Sequence, residues 1–314
     1  MFKQPTFQPR RGIIHRIQND DTHVIEAGCP SGEPVLVLHG CGSLAQEIIL
    51  PFEGSHARII APDRPGYGFS TPLPLKEQGP LGQSFWLERL LRYYDLSRTT
   101  IVAHSIAAAP ALHLAVRRPE MVDKLLLLSP CCRPVPPRPY FALRCAVAPV
   151  IGAMIRRHIS MRWANVVVEK ALRSSSHPNP VPAHLCSLPC HHMIAPLAIQ
   201  TMASEMRAFN TDMAHLPNLS RDIKLRVLFG AQDQIVEPQW HLDWIRRKHP
   251  SPGVKVLDGV GHLPHHTARD VTLEILNELH LGDSDIGAGH GTVISTDPSE
   301  HDVRPLSELP KLLA

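Results

Sequence analysis

Pro34-Val35-Leu36-Val37-Leu38 carries no polar side chain and stops at His39-Gly40. Similar runs recur at Ala57–Ala61, which ends at Pro62-Asp63, and at Thr99–Ala103, Lys124–Leu128, Leu225–Phe229 and Val254–Leu257. Near-continuous apolar runs of this length mark strands covered on both faces, as in parallel sheets. Helical stripes lie between them. Leu87, Leu90, Leu91 and Tyr94 fall on one helical face behind Ser84, a candidate N-cap. Ile106–Arg118 is a helix of small residues, Pro238 can open another, and Ala268, Val271, Ile275 and Leu279 form a last stripe. Strand alternating with helix predicts an α/β fold, a mostly parallel central β-sheet flanked by helices. Ahead of it, Gly12–Gln18 and Thr22–Ala27 flank Asn19-Asp20-Asp21 and predict a hairpin.

The stretch 131–218 breaks this rhythm. It lacks clear buried strands, is rich in proline and carries a polar link at Arg173–Asn179. It reads as a helical cap inserted into a core made of 1–130 and 219–280. Residues 281–314 contain six acids and two bases, punctuated by Gly, Ser and Pro, and read as a disordered acidic tail.

Composition narrows the function classes. The chain has 314 residues, and 43% hydrophobic with 19% charged residues fits a folded globular protein. A net charge of +3 and 5% aromatics argue against a nucleic-acid partner. Seven cysteines in a chain of this size are read as free thiols in a reducing compartment. The start, Met1 to Gly12, is basic without an apolar stretch behind it, and Cys145–Ile155 is too short to span a bilayer. A cytoplasmic location is expected.

The chemistry concentrates at three strand ends. In Ile101-Val102-Ala103-His104-Ser105-Ile106-Ala107 an apolar strand runs into a serine and then into a helix, with alanines two before and two after. That is the context of a nucleophile elbow, in which small neighbours let strand and helix backbones nearly touch. Leu228-Phe229-Gly230-Ala231-Gln232-Asp233 sets an acid just past a strand, and Gly259-Val260-Gly261-His262 sets a histidine past the last one. C-terminal ends of parallel strands share one edge, so Ser105, Asp233 and His262 can converge there. Such a group would let His262 take the hydroxyl proton while Asp233 fixes the imidazole tautomer.

With these motifs, His39-Gly40 and Asp63-Arg64-Pro65-Gly66-Tyr67-Gly68-Phe69-Ser70, the chain from about Gly12 to His280 resembles the α/β-hydrolase superfamily. Serine at the elbow matches its esterase- and lipase-like branch, whereas branches that open epoxides or break carbon–halogen bonds usually carry Asp there. The resemblance implies a catalytic triad of Ser105, Asp233 and His262 and a helical cap. It also implies an oxyanion hole from the backbone N–H groups of Ile106 and Cys41, with Gly42 as a substitute for Cys41. The expected function is a serine hydrolase of carboxylic esters or related acyl compounds, working through an acyl-enzyme with no cofactor and no metal. The same triad serves a carbon–carbon bond hydrolase, thioesterase, lactonase, aminopeptidase or acyltransferase, and a non-catalytic ligand-binding protein can keep the same fold.

Other features have plainer readings. His184, Cys186, Cys190, His191 and His192 match no tetrahedral metal spacing and are assigned to packing. His265 and His266 are passed over in favour of His262. Adjacent Cys131 and Cys132 are read as apolar packing or hinge residues, while the Cys41 thiol is expected to confer sensitivity to alkylation. Gly66 and Gly68 are read as turn glycines. From Leu125 to Val168 there are six arginines (133, 138, 144, 156, 157 and 162) and no acid. This basic, apolar cap could meet anionic lipid peripherally or simply be solvated. The partners expected are an apolar small-molecule acyl substrate and, for assembly, a monomer or homodimer.

Overall fold

The computed structural model describes residues 11–136 and 163–281. Eight strands form one sheet: β1 (Ile13–Ile17), β2 (Asp20–Gly28), β3 (Pro34–Leu38), β4 (Arg58–Pro62), β5 (Thr99–His104), β6 (Val122–Leu128), β7 (Lys224–Gly230) and β8 (Gly253–Leu257). Their order is β1-β2-β4-β3-β5-β6-β7-β8. β1–β2 and β2–β4 pair antiparallel and every other pair is parallel. The expected α/β architecture is therefore present, and the C-terminal ends of β3 to β8 share one edge.

Alternation within the strands divides the core. Leu36, Leu38, Ile101, Ala103, Leu125, Leu127, Val227 and Phe229 face α2 (Pro80–Tyr93), α3 (Ala108–Arg117) and α7 (Pro238–Lys248). Val35, Val37, Ile59, Val102, Leu126 and Leu228 face α1 (Ala45–Ile48) and α9 (Arg269–Leu281), where Ile48, Leu276 and Leu279 meet them. Apolar side chains on both faces explain why the central strands read as unbroken apolar runs. β8 departs from that reading. It is the edge strand, with Val256 and Lys255 exposed.

Two local expectations are corrected. β2 begins at Asp20, which pairs with Ile17, so the hairpin loop is only Gln18-Asn19. Gln18 takes φ +54°, the left-handed conformation that two-residue hairpin loops require. Helix α2 begins at Pro80 rather than behind Ser84, whose hydroxyl donates to the Leu81 carbonyl at 2.6 Å. Proline at the first helical turn is preset for helix and lacks an N–H that would need a partner.

Between β6 and β7 lie α4 (Ala164–Ser176), α5 (Cys190–Met193) and α6 (Pro196–Ala214). Ala164, Val168, Leu172, Met193 and Ile199 from these helices, with Leu185 between α4 and α5, cluster with Leu44 and Leu263 from the sheet's C-terminal edge. Of the six arginines, only Arg133 lies within the described residues. It stacks over Trp240, 3.5 Å from the ring centroid, and donates to the Trp240 carbonyl. The acidic stretch beyond Leu281 also lies outside the described residues. No helix among them is long and apolar enough to cross a membrane.

Buried histidines knit the strand ends. His39 donates from Nδ1 to the Gly40 carbonyl (2.8 Å) and accepts from the Arg64 N–H at Nε2 (2.9 Å). His241 accepts at Nδ1 from the N–H groups of Cys132 and Arg133 (3.1 and 3.0 Å). Burial lowers His39 to about 4, with the Arg64 charge adding to it, and burial likewise lowers His241 to about 4. In the unfolded chain both titrate near about 6.5. Between these values the unfolded state binds more protons, so stability declines as pH falls from about 6.5 toward about 4. Denaturant midpoints across this window are expected to drop steadily, and a flat profile would contradict the neutral, hydrogen-bonded state of these rings.

Candidate active site

β5 is fully buried and ends at His104, and a single 3-10 turn, Ser105–Ala107, leads into α3. Ser105 has φ +56°, where an L-residue is strained. The turn fits because Ala103 and Ala107 are fully buried without bulk. Gly40 completes the fit, since a Cβ there would stand 2.9 Å from His104 Nδ1 and 3.3 Å from Ser105 Cβ. The Ser105 carbonyl accepts from the Cys131 N–H at 3.0 Å, which ties the turn to the chain leaving β6.

The three strand-end side chains meet. His262 Nε2 lies 3.1 Å from Ser105 Oγ, and His262 Nδ1 donates to Asp233 Oδ2 at 2.7 Å. All three are buried. Asp233 Oδ1 accepts from the N–H groups of Ile235 and Val236, both at 2.9 Å, so the carboxylate is aimed by its own loop. The His262 backbone is held from two further sides. Its N–H donates to the Ser175 carbonyl at the end of α4 (2.8 Å), and its carbonyl accepts from His104 Nε2 (3.0 Å). The arrangement can pass a proton from the serine hydroxyl to an imidazole whose other nitrogen is fixed by a carboxylate.

Of the two residues expected to supply oxyanion N–H groups, Ile106 follows Ser105 inside the 3-10 turn, and Cys41 follows Gly40, the residue that approaches Ser105. Cys41 is an exposed residue whose thiol turns toward the buried Tyr67 hydroxyl, 3.8 Å away. Burial pushes the thiol up to about 12, with the Glu205 carboxylate adding to the effect. A thiol that stays neutral is a poor nucleophile, so alkylation of this exposed cysteine would be slow at neutral pH.

The histidine- and cysteine-rich stretch is not one cluster. Cys190 packs in the apolar group under α5, His192 stacks on Phe69 at 4.7 Å, and His184 reaches His266 at 3.0 Å. Cys132 is buried and Cys131 half-buried at the exit of β6, in keeping with packing.

A second polar group lies beside Cys41 and was not anticipated. Arg64, wholly buried after β4, donates to Glu205 of α6, with its Nη2 at 3.2 Å from Oε2 and a shorter bond from Nη1 to Oε1. Tyr67 and Gln83 also donate to Glu205, at 2.9 Å each, and the Tyr67 hydroxyl lies 3.8 Å from Cys41 Sγ. One sequence signal could have revealed it. Glu205 is the acid in a buried four-residue stripe with Thr201, Phe209 and Met213, a position where a charge needs a partner.

Residues 35–275 match the model of the alpha/beta hydrolase family. The chain belongs to that family. It is accordingly an enzyme, of the hydrolase class. It is 25% identical over 297 residues to an uncharacterised protein of Mycobacterium tuberculosis, covering 89% of this chain and 80% of the relative. It is 30% identical over 120 residues to the 2-hydroxy-6-oxo-6-phenylhexa-2,4-dienoate hydrolase of Burkholderia cepacia, covering 36% and 41%. Potato (Solanum tuberosum) epoxide hydrolase I superposes with a TM-score of 0.67 at 18% identity, over 86% of this chain and 99% of that one, a likeness of fold.

Two substitutions probe this geometry. A Cβ at Gly261 would lie 2.1 Å from the His177 carbonyl oxygen. Gly261→Ala is expected to displace His262 and lower kcat by about 100-fold, and kcat close to wild type would show that the loop absorbs the clash. Glu205→Leu leaves a buried guanidinium without its carboxylate and should destabilise the fold by about 3–5 kcal/mol. The double variant Arg64→Met/Glu205→Leu should recover most of that loss in denaturant titrations, and equal losses in both would refute a charge-based cause.

Proposed function

We propose that the protein is a serine hydrolase that cleaves a carboxylic ester or related acyl compound through an acyl-enzyme on Ser105. The observation that carries this reading is the hydrogen-bonded line from Ser105 Oγ through His262 to Asp233 Oδ2, at 3.1 and 2.7 Å. His262 Nε2 accepts the hydroxyl proton as Oγ attacks the carbonyl carbon, then returns it to the departing alkoxide. Asp233 keeps the proton on Nδ1 and stabilises the imidazolium. The backbone N–H groups of Ile106 and Cys41 receive the oxyanion. Water, deprotonated by the same imidazole, then attacks the acyl-enzyme and frees the acid. Residues 131–218 act as the cap that covers an apolar acyl chain. The strained φ of Ser105 supports the nucleophile role, because strain of this kind gathers at reacting residues.

Carbon–carbon bond hydrolysis is the second reading. The 30% identity to the Burkholderia cepacia dienoate hydrolase favours it, since that substrate's name contains no ester.

A fluorophosphonate probe should label wild type and leave Ser105→Ala unlabelled. Ser105→Ala should lower kcat by about 10⁴- to 10⁶-fold and Asp233→Asn by about 10⁴-fold on the best substrate of a p-nitrophenyl ester series. Thioester, lactone and 2-hydroxy-6-oxo-dienoate controls identify the bond class. Labelling that survives in Ser105→Ala would reject this nucleophile.

A further inference from the structure

A second convergence of side chains lies behind the site. Glu47 sits on α1, and His265 and His266 on α8 (Pro264–Thr267), the short helix after His262. His265 Nε2 and His266 Nε2 both point at Glu47 Oε1, at 3.2 and 2.5 Å. Among the described residues this is the group of His, Cys, Asp and Glu whose donor atoms all come within 4.8 Å of one another.

We propose that Glu47, His265 and His266 form a binding site for a divalent cation of the zinc class. Two imidazole nitrogens and one carboxylate oxygen are a donor set that such ions favour. Ligands about 2.1 Å from a tetrahedral ion stand about 3.4 Å apart, so the His266–Glu47 contact opens by about 1 Å and the two imidazole nitrogens, within 4.8 Å of each other, adjust to that spacing. Three protein donors leave the fourth position to water. The surroundings hold the ligands. Ser43 Oγ donates to Glu47 Oε2 at 2.6 Å, and His266 Nδ1 meets His184 Nε2 at 3.0 Å, which fixes the face that His266 presents to the ion. His265 is held by packing, its ring 4.5 Å from His104 and 4.4 Å from His266. The three ligand side chains are buried, and His184, which contacts His266, is exposed. The ion pins α1 to α8 two residues beyond His262 and takes part in no bond rearrangement. The site stands independently of the esterase reading.

The test uses the full chain, stripped with a chelator and titrated with Co²⁺. One equivalent should bind with visible ligand-field bands, and Zn²⁺ should displace it and raise the thermal midpoint. Glu47→Gln and His266→Gln should each weaken binding at least about 100-fold, while His191→Gln should leave it unchanged. X-ray absorption of the wild-type zinc complex needs no variant and should show nitrogen and oxygen ligands only. Absence of bound cobalt would reduce the cluster to a hydrogen-bonded knot. Equal affinity in all variants, or sulfur in the zinc shell, would place the ion elsewhere and overturn the assignment.

Discussion

The left-handed turn at Ser105 is the constraint on which the rest of the molecule depends. Holding a non-glycine residue there costs about 1–2 kcal/mol, and the neighbours are chosen to sustain it. β5 enters from the centre of the sheet with every residue buried. Gly40 gives the turn room on one side, and the Cys131 N–H caps its carbonyl on the other. A serine on an ordinary strand end would rotate freely. This one is fixed relative to the ends of its two neighbouring strands, β3 and β6, so an imidazole and a carboxylate from distant parts of the chain can be built to meet it.

The imidazole is placed by agreement among elements far apart in sequence. Asp233 holds one ring nitrogen, His104 holds the carbonyl, and Ser175 of α4 holds the N–H. Because α4 belongs to the segment between β6 and β7, that segment does more than shield the sheet edge. Its carbonyls at Ser175 and His177 form the wall against which Gly261 and His262 rest.

The sheet and the meeting of Ser105, Asp233 and His262 were legible because parallel strands leave a strong mark. Central strands are apolar throughout, and their C-terminal ends must share one edge. Periodicity blurred where a strand lost one of its neighbours. Val254–Leu257 resembles the central runs, yet β8 is an edge with Val256 exposed. The start of α2 also escaped, since Ser84 can bond its own preceding turn as readily as cap a new one, whereas Pro238 opens α7 as expected. The least legible features were pairings across long loops. Nothing local to Arg64 names Glu205, 141 residues away, and nothing near Glu47 announces two histidines more than 200 residues on. Such partners are chosen by the packing of α6 and α8, which appears only once the chain is folded.

The Arg64–Glu205 pair bears on how a lineage can acquire new specificities. A segment between two strands invites wholesale exchange, since β6 and β7 pair directly with each other on either side of it. Here one half of a fully buried ion pair travels with that segment and the other stays in the sheet. A transplanted segment without an acid at the matching turn of α6 would strand a guanidinium in the interior. Diversification in this lineage is therefore channelled toward residue-by-residue change within the inherited segment, or toward grafts that bring their own counter-charge.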